Sequence, residues 1–224
     1  MTAWPYNDRP DGVRFLPDRV DEEARAEIED EIWTWIVRGE VDAGEFVDYL
    51  DDGEENHGLT GEEITSAYEK ALDVRRSQQR AWGDVRGNLT LAFAELNRIG
   101  VLARENFTCC GTCAGAEIHG ERDGSRHWHG YVWYHQQDTE SLISSPGGAV
   151  YLGYGAYRPD DLDQAAYDAL SEDEKEAWYQ AEVERLLDER VFPVLRGHGM
   201  EVQWNRSLAT RVLVTGARWY APLI

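Results

Sequence analysis

The spacing of apolar positions changes character about halfway along the chain, and the first half is helical. In "VDEEARAEIEDEIWTWIVRG" the residues Val20, Ala24, Ile28, Ile32, Trp35 and Ile36 recur at intervals that line one face of a helix. Acidic residues fill its first turn, where they suit the helix dipole, and Gly39 supplies a stop. A short helix is predicted over 42–50, with Asp42 and Glu45 in capping-box register, and "DDGEENHG" reads as a loop. Thr60 and Glu63 form a second box, opening a helix faced by Ile64, Ala67, Tyr68, Ala71 and Leu72. A further helix carries Val85, Leu89, Ala92, Phe93, Leu96 and Ile99 and ends at Gly100.

Beyond Gly100 short runs rich in β-branched and aromatic residues take over. "VLARENF" (101–107), "HGYVWYH" (129–135), "AVYLGYGA" (149–156), "MEVQWN" (200–205) and "TRVLVTGARWY" (210–220) read as strands. A helical block lies between the third and fourth. Ser171 and Glu174 cap it, Ala177, Trp178, Ala181, Leu186, Leu187 and Val194 supply its apolar face, and it stops near "RGHG". The order predicts an α/β or α+β fold, with a mixed, roughly five-stranded sheet and packed helices. The organisation expected is an irregular arm over 1–19, with Pro5, Pro10 and Pro17, a helical region over 20–82, and an α/β domain over 83–224.

Composition narrows the functional classes. With 42% hydrophobic and 29% charged residues the chain is globular, not disordered. No apolar run approaches the roughly 18–20 residues of a membrane helix. "MTAWPYNDRPDG" has neither the basic nor the apolar region of a secretion signal, so a cytoplasmic protein is expected. The sequons at Asn88, Asn106 and Asn205 are then accidental. A net charge of −21 repels phosphate backbones and anionic lipid, so neither nucleic acid nor membrane is an expected partner. A small molecule or another protein is. The acidic runs "DEEARAEIEDE", "DDGEE", "DDLD" and "SEDEKE" read mainly as solvated faces and helix starts.

The unusual chemistry sits in "ENFTCCGTCAGAEI", which holds all three cysteines. His119, His127, His129 and His135, four of the six histidines, come soon after it. In a reducing compartment such a cluster reads as metal-binding or redox-active. Cys109 and Cys110 are adjacent, with Cα atoms about 3.8 Å apart, too close for an ordinary bridge. Cys110-x-x-Cys113 has the spacing with which two thiolates share one tetrahedral ion, but a zinc site needs further ligands.

The strand "HWHGYVWYH" offers them, because His127, His129, Tyr131, Trp133 and His135 share one face. His129 and His135 lie about 20 Å apart on a regular strand, so the cysteines meet one end or the other. If 101–107 and 129–135 run parallel, joined by a helix near 112–121, His135 meets the thiols. If Asp123–Gly124 turns a hairpin, His127 and His129 do. The parallel arrangement is favoured, because it also brings Gln137 and Asp138 to the thiols, with Gly153 and Gly155 letting backbone approach a ligand. Asp138 has a competing use, capping with Thr139 the helix of "TESLI".

The pattern N-F-x-C-C-x-x-C, G-Y-V-x-Y-H-x-Q-D-T and Y-L-x-Y-G-A, with a later strand ending in W-N, resembles a family of uncharacterised bacterial proteins. It is carried by Asn106, Phe107, Cys109, Cys110, Cys113, Gly130, Tyr131, His135, Gln137, Asp138, Tyr154, Gly155 and Trp204, across roughly 85–220. The resemblance implies no activity. It favours His135 over His127 and His129, which lie outside the motif.

The cluster admits three readings. In the first, Cys110, Cys113 and His135 bind zinc or another transition metal. His135, Asp138 and Cys109 are then the candidates for catalysis, with Asp138 or Glu117 as base. In the second, a thiol of lowered pKa near His135 does redox or nucleophilic chemistry. In the third, the cysteines are buried, or the metal is a staple, and the protein binds a partner. His57 and His119 read as surface residues and His198 as a helix end. Trp33, Trp35 and Trp178 read as core, whereas Trp133, Trp204 and Trp219 are candidates to wall a pocket. Walker, dinucleotide, G-x-S-x-G and H-E-x-x-H signatures are missing.

Overall fold

A computed structural model describes residues 4–52, 57–159 and 162–223. The expected loop at 51–58 and the run "DDLD" lie partly outside the described residues. The chain divides into two compact units, Met1–Val85 with Tyr220–Ile224, and Arg86–Trp219.

The first unit is helical. Helix α1 (Glu22–Arg38) opens where the Asp21 carboxylate accepts the Glu23 N–H, and it ends at Gly39, whose φ of +111° few other residues tolerate. Helix α2 (Ala43–Asp52) comes next, then α3 (Gly61–Trp82), opened by the Thr60–Glu63 capping box. Ile32, Ile36, Phe46, Ile64, Tyr68 and Ala71 are sealed from solvent between them. Trp33, rather than Trp35, is the tryptophan buried on α1.

The proline-bearing arm is tied down by one acidic residue. Phe15 and Leu16 are buried, and both their N–H groups donate to Glu29 Oε1, at 2.7 and 3.0 Å. Arg9 pairs with the other Glu29 oxygen at 3.2 Å. Glu29 therefore departs from the solvated reading of its acidic run: two orphan backbone donors need an acceptor there. Residues 220–223 close the unit. Gln79 donates to Ala221 O and accepts the Leu223 N–H, each at 2.8 Å. The Arg75 guanidinium lies among Trp82, Tyr220 and Trp33, at 5.2, 5.5 and 5.9 Å from the rings, and burial lowers its pKa to about 10.

The second unit runs α4 (Asn88–Arg98), β1 (Val101–Arg104), α5 (Gly111–Glu117), β2 (Gly130–Trp133), α6 (Gln136–Ser144) and β3 (Val150–Ala156). It continues with α7 (Gln164–Asp168), α8 (Glu172–Leu186), α9 (Phe192–Gly197), β4 (Glu201–Gln203) and β5 (Val212–Thr215). A π-helical turn, Leu187–Val191, joins α8 to α9. The five strands form one mixed sheet in the order β1-β2-β3-β5-β4, as the sequence led us to expect of the fold class. Strands β1 and β2 are parallel, Val101 facing Gly130 and Arg104 facing Trp133, and the other pairs are antiparallel. Helix α4 packs on β1 and α8 on β3. Leu102, Val132, Leu152, Val212 and Val214 form the buried rows.

Glycines set how closely these layers approach. Across the β2–β3 ladder Tyr131 faces Gly155 and Trp133 faces Gly153. A Cβ on Gly153 would stand 2.4 Å from the Trp133 ring, and one on Gly155 2.3 Å from the Tyr131 hydroxyl. At Gly130 a Cβ would meet Leu186 Cδ2 at 2.5 Å, so the missing side chain lets α8 press onto the sheet. Among the described residues no helix is long and apolar enough to cross a membrane.

Candidate metal centre

The sulfur-bearing turn is stitched to the continuation of β2. Tyr134 N–H donates to Arg104 O at 3.3 Å, Phe107 N–H to Tyr134 O at 2.9 Å, and Gln136 N–H to Thr108 O at 3.1 Å. Two non-glycine residues on this path are left-handed, Asn106 at φ +48° and Thr108 at φ +59°. That conformation is costly, most of all for β-branched threonine. Asn106 is held by a hydrogen bond from the Thr139 hydroxyl at 2.8 Å.

The bend brings the three sulfurs together. Cys110 stands at the N-cap of α5 and Cys113 within its first turn. The Sγ atoms of Cys109, Cys110 and Cys113 all lie within 4.8 Å of one another, with Cys109 and Cys113 at 3.6 Å. All three are free; Cys109 is exposed and the others half-buried. They are not packed as small apolar side chains.

Their environments differ. The N–H groups of Cys113 and Thr112 face the Cys110 sulfur, wider than a regular cap bond, and lower its pKa. Cys113 is pushed up to about 11, because its thiol proton is shared with Cys109 and Cys110.

The parallel pairing of β1 and β2 brings His135 to this rim and carries His127 and His129 to the other end of the strand. His135 is the N-cap of α6. Its Nδ1 accepts the Asp138 N–H at 3.2 Å, while Asp138 Oδ2 accepts the His135 N–H at 3.1 Å and lies 3.2 Å from Nε2. Both ring nitrogens thus face Asp138. A Cβ on Gly111 would stand 3.6 Å from His135 Nε2, so the ring packs against the start of α5. Among the described residues the close group of donor atoms consists of the three sulfurs, without His135. Burial lowers the His135 pKa, and Asp138 opposes the shift.

Asp138 is buried and committed. It sits at the third position of α6, which starts at Gln136, ahead of the cap expected at "TESLI". Arg211 binds both its oxygens, with Nη1 to Oδ1 at 3.0 Å, donates to Tyr151 O, and lies 5.2 Å from the Trp133 ring. Sequence reasoning missed Arg211, since no local spacing links it to a residue 73 positions away. Gln137 and Glu117 are exposed.

The space expected beside Gly153 and Gly155 for a ligand is instead filled by the Trp133 and Tyr131 rings. Trp133 and Trp219 are core residues, and Trp204 donates to the Tyr154 hydroxyl at 2.9 Å. His57 and His119 are exposed, and His198 closes α9 with Nε2 2.9 Å from Glu95.

A family model described as "Domain of unknown function (DUF6891)" matches residues 21–222. The chain belongs to this family. The DUF6891 match takes in α1 as well as β5, and so includes the cysteine turn, His135, Asp138 and Arg211. It agrees with the uncharacterised family that the sequence resembles. No curated protein and no solved structure matches the chain.

Proposed function

We propose that Cys109, Cys110 and Cys113 of this DUF6891 chain hold one transition-metal ion, zinc being the ion their chemistry fits first. The observation that carries this reading is the mutual approach of three solvent-accessible sulfurs. Two thiolates bound to tetrahedral zinc at about 2.3 Å lie about 3.8 Å apart. Cys109 and Cys113, at 3.6 Å, are near that separation already. Thiols this close resist ionising together, and a divalent cation relieves the repulsion as protons leave.

Three sulfur ligands leave the fourth position to solvent, to a substrate, or to His135 with its ring turned from Asp138. An ion in such an open site supplies Lewis acidity and acidifies a bound water. Within this reading His135 walls the fourth position, and Asp138, held by Arg211, fixes the imidazole. Elemental analysis of protein purified without chelator is expected to give about one zinc per chain. Cys113→Ser and Cys110→Ser should lose most of it, and His135→Ala should keep it. Metal-free wild-type protein with three freely titrating thiols overturns the proposal.

A thiol-dependent site is the second reading, favoured by the lowered pKa of Cys110 and the nearness of Cys109 to Cys113. Metal-free protein whose Cys110 is alkylated much faster than a free thiol at neutral pH would support it.

A further inference from the structure

At the far end of β2, about 20 Å along the strand from His135, the second unit carries a cavity with different chemistry. Its volume is about 220 Å³. His127 and His129, their rings 4.6 Å apart and steeply inclined, line it together with Arg185 and Arg190. Four nitrogen-bearing side chains converge here in a chain with 43 acids against 22 bases.

The backbone is shaped to bring them together. Residues five apart on a regular α-helix point about 140° from each other, which would separate Arg185 from Arg190. The π turn Leu187–Val191 takes an extra residue and narrows that angle, so both guanidiniums line the cavity. Gly130 lets Leu186 seat against the sheet, which draws α8 over the strand end that bears His129. Glu182 is engaged by Arg185. Among the described residues Arg190 has neither a hydrogen-bond nor an ion-pair partner, although it is half-buried.

We propose that this cavity binds a small phosphate ester, its oxyanion held by Arg190, Arg185 and the two imidazoles. Forked guanidinium donors match a phosphate's oxygens, and a dianion compensates the convergence of positive groups. The volume exceeds that of the phosphate group itself. Tyr157 and Pro159 offer apolar wall to the organic part, and the Glu182 and Glu189 carboxylates accept from its hydroxyls. The charges acting on His129 are those of Arg190, His127 and Arg185, and Glu182, Glu189 and Tyr157 line the same cavity. Burial and the three cationic groups lower its pKa, so a bound dianion should restore its proton.

The test is calorimetric titration of the full chain at low ionic strength with sulfate, whose charge is constant from pH 5 to 8, and with inorganic and methyl phosphate. One saturable site is expected, with sulfate affinity falling about tenfold between pH 5.5 and 7.5 as the bound anion ceases to hold a proton on His129. Arg190→Gln should weaken binding about tenfold or more, Arg190→Lys much less, and neither should change metal content. Methyl phosphate should bind at least as tightly as inorganic phosphate. In the wild-type chain, which needs no substitution, the imidazole signals of His127 and His129 should move with added anion while that of His135 stays. Absence of saturable binding at pH 5.5, unchanged binding in Arg190→Gln, or still imidazole signals would each overturn the assignment.

Discussion

One end of β2 gathers three sulfurs on a single turn; the other gathers imidazoles and guanidiniums around a cavity of about 220 Å³. The two ends also hold their charges differently. At the sulfur end Arg211 is locked onto a buried carboxylate, a backbone carbonyl and a ring. At the histidine end Arg185 makes only an exposed contact one helical turn away, and Arg190 makes none among the described residues. A committed cation is architecture, whereas a spare one beside a cavity is available to a ligand.

Charge removal at each end is the sharpest way to break this comparison. Arg211→Ala strands the Asp138 carboxylate in the interior, and a loss of about 3 kcal/mol is expected in denaturant unfolding. Arg185→Ala removes a surface i,i+3 pair and should cost about 0.5 kcal/mol or less. Equal losses would erase the distinction.

The glycines come next. Gly153→Ala drives a methyl into the Trp133 ring, and Gly130→Ala drives one into Leu186 and the Gly155 carbonyl. Each is expected to cost about 2 kcal/mol in the same measurement. Gly153→Ala should speed alkylation of the cysteines and leave sulfate binding alone, and Gly130→Ala should do the reverse.

The smallest effect is on pH dependence. A histidine whose folded pKa is lowered holds fewer protons than the unfolded chain, so its contribution is intact above the unfolded value and fades as pH falls below it. Urea midpoints of the wild type should therefore drop from pH 7.5 to 5.5. His135→Asn keeps an N-cap acceptor without a proton to gain and should flatten that slope. Some slope should remain, because His129 is shifted in the same direction.

The sequence was most readable where a few neighbouring residues decide the structure. The Thr60–Glu63 and Ser171–Glu174 boxes are found as spaced, because each needs only four residues and two backbone groups. The mixed sheet came from β-branched runs alternating with helical ones. At the site, three thiols within five positions announced their own meeting, since a single turn brings them together. The features that could not be read depend on partners far along the chain. Asp138 finds Arg211 only through the β3–β5 pairing, and Gly153 and Gly155 find the rings that fill them only through the β2–β3 register. Glu29 likewise reads as one acid among many until Phe15 and Leu16 fold back onto it.

The return of residues 220–223 to the helical unit has a consequence for how the protein is made. The sheet unit is one uninterrupted stretch, Arg86–Trp219, and its strands pair without any residue that follows Trp219. The helical unit, translated earlier, must wait for Tyr220 to cover Arg75 and for Ala221 and Leu223 to satisfy Gln79. The half that is born first is therefore closed by residues translated after the whole of the other half.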